Sequence, residues 1–381
     1  MRDGHLIGSG ADSLAAEARA NQFILVGEDH GIREVPEFVG ALFELAKPAG
    51  YRHLAVEVGP FTGLMLEDMM RASEGQRNLD AFLARYTPYS VPFFFWREEA
   101  QMLERVVKSL PGQKDVVWGL DQEFMISPTY LFDVIAEYAP AGRLIAMDRA
   151  RVSRRGDSVL IKNGDPSQLW MLTVTDTDIA KLRDVFRYPP ANTIIDEIAT
   201  SRDIYRKFAA RAGYESNQQR DDLMKTHFVA RYRGAQKNGE STPRAIIKLG
   251  ANHVFRGPSI TDTYEIGSFV PEFAQSEGGH AINVLLLVKR GTWNAYRPFG
   301  SKEADKTKPY DVLTSEEYKV FDLSSLLAAG SDSSWTLLDL RPARRMAANG
   351  QLKVNTLARR LLTSFDAVVV VPEGHASVYF R

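Results

Sequence analysis

The sequence predicts an α/β fold with a mainly parallel central sheet flanked by helices. Short apolar runs alternate with segments whose apolar residues recur at helical spacing, and a long middle segment contains helical patterns without a convincing strand. Strands that alternate with helices pair in parallel, because each helix returns the chain to the same edge of the sheet. We therefore expect a single α/β catalytic domain over residues 1–381, with a helical insertion or cap at about 176–240.

The N-terminal part contains repeated strand–helix units. The first apolar run ends at Gly27 and is typical of a buried strand. A helix follows it, beginning near Pro36 and ending before Pro48 and Gly50. Ser127 marks the start of a later helix. The strands predicted in this part are residues 23–26, 53–56 and 116–120.

The rest of the chain supplies the insertion and the remainder of the sheet. Helices are predicted over residues 177–186, 193–212 and 217–236, and strands over 245–249, 282–288 and 368–371. Residues 143–170 fit no single pattern, and the charged segment 300–309 is predicted to be an exposed loop.

Composition limits the possible partners and compartments. The formal net charge is −1, which does not favour binding to nucleic acid, and no apolar run is long enough to span a membrane. The absence of cysteine excludes disulfides and thiolate chemistry. We expect a soluble protein, cytoplasmic or, if a leader has been removed, extracytoplasmic, that acts on a small-molecule or peptide substrate.

Ionisable residues follow several predicted strands at the point where each strand ends. Ligands bind outside the carboxyl ends of parallel strands, so these side chains should meet at one edge of the sheet. Burying several carboxylates together is costly unless cations, protons or hydrogen bonds compensate them, so such a cluster indicates function. The residues are Glu28, Asp29, His30, Glu57, Asp121, Glu123, Asn252 and His253.

Two strand ends share the pattern Gly-x-x-His. Gly27 precedes His30 and Gly250 precedes His253, and a glycine permits a sharp exit from the strand. The same spacing also ends at His53, at the beginning of a predicted strand and thus at the opposite edge of the sheet. We expect His53 to be structural, because position rather than spacing distinguishes the three histidines.

These motifs resemble those of a known superfamily. Val-Gly-Glu-Asp-His-Gly at residues 26–31, followed by Glu34 and by Ala-Val-Glu-Val at 55–58, resembles the opening of the erythromycin-esterase family and its ChaN-like haem-uptake relatives. Leu-Gly-Ala-Asn-His-Val-Phe-Arg-Gly at 249–257 resembles their second histidine motif, and still more that of the TraB/TIKI proteins. Arg-Asp-Asp-Leu-Met at 220–224 is similar to the Arg-Asp-x-x-Met helix of the esterase branch.

The resemblance implies catalytic roles for four residues. In the esterase branch His30 would be a general base that activates water, Glu28 and Glu57 would orient it, and His253 would position the substrate or water. Only Asp29 separates Glu28 from His30, whereas the esterases usually have two residues there. The shorter turn is closer to the ChaN-like and TraB-like versions. Supporting roles are expected for Asp29, Asp121, Glu123, Arg220 and Asn252.

Alternatives remain open at this stage. The TraB/TIKI resemblance implies a divalent metal, with His30, His253 and Glu57 as possible ligands and one position left for water. The ChaN resemblance implies a haem-binding protein without turnover. The sequence contains no Gly-x-Ser-x-Gly nucleophile elbow and no phosphate-binding loop. His375 is expected to be structural, and the aromatic run at 86–96 is expected to line an apolar pocket.

Overall fold

The computed structural model describes residues 1–87, 89–138, 157–294 and 307–380. Its core is an eight-stranded sheet in the order β3-β2-β4-β1-β5-β8-β7, with β6 paired to β5. The strands are β1 Phe23–Glu28, β2 His53–Val56, β3 Val117–Gly119, β4 Ala245–Gly250, β5 Ala281–Asn294, β6 Thr307–Asp311, β7 Thr336–Asp339 and β8 Ala367–Gly374. Pairing is parallel except for β6 on β5 and β7 on β8. The predicted α/β class with a mainly parallel sheet is confirmed.

Helices flank this sheet. In the described residues they are α1 Ser9–Ala20, α2 Glu34–Ala46, α3 Pro60–Arg71, α4 Gly75–Tyr86, α5 Arg97–Lys108, α6 Pro128–Tyr138, α7 Asp157–Lys162, α8 Trp170–Thr173, α9 Asp176–Val185, α10 Pro189–Ala209, α11 Gly213–Lys237, α12 Ala251–Val254, α13 Ile266–Ser276, α14 Ser324–Ala329, α15 Arg341–Ala348 and α16 Thr356–Ser364. No helix among the described residues has the length and apolar character to cross a membrane.

The register of the central strands aligns the residues of the candidate site. β1 lies between β4 and β5, and Glu28 at the end of β1 is level with Gly250 at the end of β4. β2 lies on the other side of β4, where Val56 is level with Lys248. Because parallel strands end at the same edge, the residues that follow β1, β2 and β4 are brought together.

The helices of the predicted insertion form a second apolar cluster. Ile194, Ile195 and Ile198 of α10 pack with Leu131 and Phe132 of α6, separately from the main core. The long helix α11 instead contributes to the main core beside the sheet, through the buried side chains Met224, Phe228 and Tyr232. It also carries Arg220 towards the ends of the strands. The extent of the catalytic domain stays a prediction.

Some of the elements predicted from the sequence were wrong or incomplete. Residues 307–309, predicted as loop, belong to β6 and pair with the outer half of β5, while 300–306 lie outside the described residues. β7 was not predicted because it is a short strand with partly exposed side chains. Of the ambiguous segment 143–170, residues 157–162 and 166–168 are helical and 143–156 lie outside the described residues.

Candidate active site

A cavity of about 380 Å³ lies at the carboxyl ends of the central strands. It is bordered by the residues that follow β1, β2 and β4, by α11, and by the segment between α12 and α13. Most of the residues that line it have polar side chains, and Ala251, Ile260 and Trp293 are apolar. The predicted residues that line it are Glu28, Asp29, His30, Glu57, Arg220, Asn252 and His253.

His30 and Glu28 form a hydrogen-bonded pair on one side of the cavity. Nδ1 of His30 lies 3.0 Å from Oε1 of Glu28, and Nε2 lies 3.5 Å from Oε2 of Glu57. The turn that brings the imidazole over the strand end passes through Gly31, whose φ is 81°. A Cβ at Gly31 would lie 2.1 Å from the Asn294 carbonyl oxygen, so only glycine fits there.

His253 forms a second pair on the opposite side. Its Nδ1 lies 2.8 Å from Oε2 of Glu265, and its Nε2 lies 3.4 Å from Oε1 of Glu57. Glu265 immediately precedes α13 and is almost fully buried. The two histidines therefore approach the same carboxylate, Glu57, from its two oxygens, and each is supported from behind by its own glutamate.

Glu57 is the centre of this arrangement. Its Oε2 accepts the backbone N–H of Gly250 at 2.8 Å, and its Oε1 accepts Nη2 of Arg220 at 2.9 Å. Burial alone would raise the pKa of Glu57, but the charges of His253, His30 and Arg220 hold that pKa well below its ordinary value. Glu57 is therefore an anion shared by three cationic or cation-forming side chains.

Arg220 is fixed by Asp121. Nε and Nη2 of Arg220 donate to the two oxygens of Asp121 at 2.7 and 2.6 Å, in the bidentate geometry that holds a guanidinium rigidly. Because Nη2 also donates to Glu57, Asp121 orients the arginine across the floor of the cavity. The predicted supporting residues Asp121 and Arg220 thus form one unit.

The pKa values of the two histidines are raised to different extents. Burial alone would lower the pKa of His30, but the Glu28 and Glu57 carboxylates outweigh it and raise that pKa above 6.5. Burial also opposes the charged form of His253, yet Glu265 and then Glu57 raise its pKa much further. Burial opposes ionisation of Glu265 as well, but His253 lowers the Glu265 pKa to about 2. The charged form is therefore favoured more strongly in His253 than in His30, which loses its proton more readily.

Two supporting residues have roles beside the histidines. Asp29 accepts the hydroxyl of Tyr310, and burial followed by the charge of Glu317 raises the Asp29 pKa to about 7. Oδ1 of Asn252 accepts the backbone N–H of Ile260 at 3.0 Å, and its Nδ2 donates to Glu265 at 3.3 Å. Asn252 therefore holds the segment that carries the partner of His253.

Glu123 does not join the cavity. Its Oε1 accepts the backbone N–H groups of Phe61 at 2.8 Å and Thr62 at 3.2 Å, and its Oε2 accepts the Thr62 hydroxyl at 2.5 Å. These N–H groups open α3 and have no partner within the helix, so a carboxylate satisfies them. Glu123 caps a helix and lies outside the cavity lining, and its expected supporting role stays a prediction.

Most of the aromatic run packs in the interior. Phe94, Phe95 and Trp96 are buried in the main core, and the apolar pocket expected along this run stays a prediction. The exception is Phe93, which stacks on the imidazole of His30 with ring centroids 4.0 Å apart and planes at 20°. Phe93 has a φ of 65°, a conformation that bulky side chains avoid. Pro88 lies outside the described residues.

The other histidines lie elsewhere. His53 sits at the opposite edge of the sheet, with Nδ1 2.7 Å from the Asp115 carbonyl oxygen and Nε2 3.0 Å from Glu240. Nδ1 of His375 lies 2.7 Å from Glu34, and His227 contacts the Leu120 carbonyl oxygen and Glu197. None of these three side chains lines the cavity.

Several site residues were missed by the sequence reading. Glu265 gave no signal, because long-range packing brings it to His253. Phe93 belongs to the aromatic run that was expected to line a pocket, but its stacking on His30 was not predicted. Lys248 did give one: a charged residue in the otherwise apolar strand β4 must be paired. Its ammonium lies between the carboxylates of Glu28 and Glu99.

One group of described side chains has spacing suited to a metal ion. Ligand atoms of Asp221, His253 and Glu265 lie within 4.8 Å of one another, and all three residues are buried. Burial and the neighbouring Glu265 raise the pKa of Asp221 to about 8. This group shares only His253 with the predicted set of His30, His253 and Glu57, which stays a prediction.

Comparisons with known proteins bear on the fold. Neither a family model nor a curated protein sequence matches the chain. A mutant of erythromycin esterase EreC in its open conformation is similar with a TM-score of 0.65 at 15% identity, covering 97% of this chain and 95% of that one. A Bacillus cereus protein has a TM-score of 0.62 at 15% identity, over 99% and 95% of the two chains. A succinoglycan biosynthesis protein has a TM-score of 0.61 at 15% identity, over 100% and 95%. The chain therefore has the erythromycin-esterase-like fold that its motifs predicted.

Proposed function

We propose that the protein is a hydrolase in which His30 activates water for attack on an ester, lactone or amide bond. One observation carries the proposal: the Nε2 nitrogens of His30 and His253 converge on Glu57 within one cavity, and each imidazole has a glutamate at its Nδ1. The likeness in fold to erythromycin esterase EreC supports the same reaction class.

The Glu28 carboxylate favours the tautomer that a base needs. When the neutral imidazole of His30 donates Nδ1–H to Glu28, its lone pair is left on Nε2, the nitrogen on the cavity side. Nε2 takes a proton from water as the water oxygen forms a bond to the substrate carbonyl carbon. The positive charge that develops on His30 is then stabilised by Glu28 and Glu57.

His253 and Arg220 supply positive charge on the opposite side. A permanent imidazolium can stabilise the oxyanion of the tetrahedral intermediate. When the bond to the leaving group breaks, the proton that His30 took from water neutralises that group. One histidine that accepts a proton and another that retains one suit this division of roles.

Substitution of His30 tests the proposal. Against a panel of esters, lactones and amides, His30→Ala should reduce kcat roughly 100- to 10,000-fold, the usual contribution of a positioned base. His375→Ala is the matched control, because it removes another histidine paired with a glutamate, outside the cavity. Circular dichroism establishes that both variants fold. Turnover that survives in a folded His30→Ala variant would overturn the proposal.

A metal-dependent hydrolase is a second candidate, favoured by the spacing of Asp221, His253 and Glu265. One imidazole and two carboxylates suit a zinc-like ion that retains a position for water. Elemental analysis of protein purified without affinity nickel tests it. Stoichiometric metal in the wild type that is lost in Asp221→Asn would support this candidate, and full activity in metal-free protein would contradict it.

The haem-binding alternative is tested by the same preparation. A Soret band on mixing with haem, lost in a His30→Ala, His253→Ala double variant, would favour a carrier over a hydrolase. An unchanged haem spectrum would leave the hydrolase as the better account of the two histidines.

A further inference from the structure

A buried lysine lies directly behind the Glu28–His30 pair. Lys248 is in β4, level with Val26 of β1 and Val56 of β2, and its side chain is 5% exposed. Its ammonium donates to Oε1 of Glu28, the same oxygen that faces Nδ1 of His30. The lysine therefore acts on the oxygen that fixes the imidazole.

Glu99 holds the other side of this ammonium. It lies in the first turn of α5, and its Oε1 is 2.8 Å from Nζ of Lys248. Glu99 is 1% exposed, so the trio of Glu28, Lys248 and Glu99 is closed to solvent. The remaining oxygens, Oε2 of Glu28 and Oε2 of Glu99, are buried and have no hydrogen-bond partner among the described residues.

Stability alone does not account for this trio. A buried ion pair is often no more stable than well-packed apolar residues of similar volume, and a buried carboxylate oxygen without a partner adds a cost. The trio does supply what His30 requires, namely an ionised acceptor at a fixed position. Without the ammonium, two buried carboxylates would face each other, and proton uptake by one of them would be favoured.

We propose that Lys248 is a positioning residue of the site: its ammonium, held by Glu99, fixes Oε1 of Glu28 at Nδ1 of His30, so that the neutral ring carries its proton on Nδ1 and presents Nε2 to the cavity. This inference deepens the proposed function and rests on it for its catalytic consequence. Its structural consequence, the tautomer of His30, is measurable without any substrate.

Burial and charge at neighbouring groups agree with this role. Burial disfavours the Glu28 carboxylate, but Lys248 and then His30 outweigh burial and lower the Glu28 pKa. Burial raises the pKa of Glu99 to about 7, against the opposing charge of Lys248. The charged groups with the largest effect on His30 are Glu28, Glu57 and Lys248, one from each of three neighbouring strands or strand ends. Asp29, beside it in the chain, and Glu99 of α5 also interact with its charge.

The test is the ¹⁵N spectrum of His30, assigned with His30→Ala and recorded at alkaline pH where the ring is neutral. In the wild type we expect the Nδ1–H tautomer. In Lys248→Met it should shift towards Nε2–H, and kcat should fall roughly 10- to 100-fold with KM little changed, as when an outer partner of an imidazole is removed. Lys289→Met is the matched control, since Lys289 is a strand lysine paired with Asp332, outside the cavity lining.

A second variant separates positioning from stability. Lys248→Met with Glu99→Gln removes one positive and one negative charge, so a merely structural ion pair predicts that the double variant regains the wild-type tautomer and kcat. Positioning predicts that both stay altered, because Glu28 still lacks its cation. Wild-type tautomer and kcat in Lys248→Met would overturn the inference. If the wild-type protein showed no turnover, the proposed function would be contradicted. The tautomer of His30 in Lys248→Met would still decide whether Lys248 is a positioning residue.

Discussion

His30 and His53 lie at opposite edges of the same sheet and have similar immediate surroundings. Each follows a Gly-x-x spacing, pairs with a glutamate and stacks on an aromatic ring, Phe93 for His30 and Trp118 for His53. The two histidines differ in the surroundings of their ring nitrogens. Both nitrogens of His53 have close partners and its ring is 1% exposed, whereas His30 directs Nε2 to a cavity and is 24% exposed.

The comparison shows which feature indicates chemistry. A paired, stacked and buried histidine is as much a structural device as a catalytic one, so neither pairing nor burial distinguishes the two. The carboxyl edge of the sheet does, because helices leave the strands there and the space between them forms a cavity. Nε2 of His30 lies 3.5 Å from Glu57 and faces that cavity, where it can exchange a proton with a ligand. Both nitrogens of His53 are held by closer partners away from the cavity.

We expect the largest effects from alanine substitution of the two histidines, which should act on different properties: one on stability and the other on activity. His53→Ala removes two hydrogen bonds from a buried site and leaves the Asp115 carbonyl oxygen without this partner, so it should destabilise the fold by roughly 2–4 kcal/mol. His30→Ala should cost much less stability and nearly all turnover. Urea denaturation and kcat per folded molecule check the pair. Equal loss of activity in both folded variants would contradict the comparison.

Glu57→Gln should have the next largest effect. The amide keeps the shape and an oxygen acceptor for Gly250, but it removes the anion that His30, His253 and Arg220 share. We expect kcat to fall roughly 100-fold, the usual scale for loss of one preorganised electrostatic group. Glu240→Gln is the matched control, because it neutralises the carboxylate that faces His53. Unchanged kcat in Glu57→Gln would remove Glu57 from the mechanism.

The pH dependence of kcat/KM tests whether His30 is the base and whether Glu57 raises its pKa. A base acts when unprotonated, so activity is lost as pH falls through the pKa of His30, which Glu28 and Glu57 raise above 6.5 against the effect of burial. The acidic limb of the profile should therefore lie above that value in the wild type. In Glu57→Gln the limb should move to lower pH, because one of the two carboxylates that raise the pKa is gone. A shift in the opposite direction would contradict His30 as the titrating base.

The sequence predicted the parts of this site that depend on strand ends. His30, Glu57 and His253 are found where apolar runs stop, and parallel topology brings such positions together. Glu123 obeys the same rule, yet its side chain turns to the first N–H groups of α3, because the direction taken after a strand depends on what packs there. Topology is encoded by local pattern, but side-chain direction is not.

The partners behind the histidines were beyond local pattern. Glu265 reaches His253 because α13 begins beside the short helix α12, and Glu99 reaches Lys248 because α5 packs over the sheet. Neither contact can be predicted from the spacing of residues or from the composition of the sequence. Only for Lys248 does the sequence indicate a buried partner, since a lysine within a buried strand requires a buried counter-charge. The positions proposed as catalytic are thus more predictable than the residues that set their charge.

The smallest expected effect concerns the aromatic rings that cover the two imidazoles. Phe93 stacks on His30 and stabilises the imidazolium that forms when the base takes its proton, so Phe93→Leu should lower kcat about 2- to 5-fold. Stability should change little, because Phe93 is only partly buried. Trp118→Leu, under His53, should instead destabilise the fold by roughly 2–4 kcal/mol, since Trp118 is fully buried, and leave kcat per folded molecule unchanged. If both substitutions altered only stability, Phe93 would have the same packing role as Trp118, and the two edges of the sheet would differ only in the access of Nε2 of His30 to the cavity.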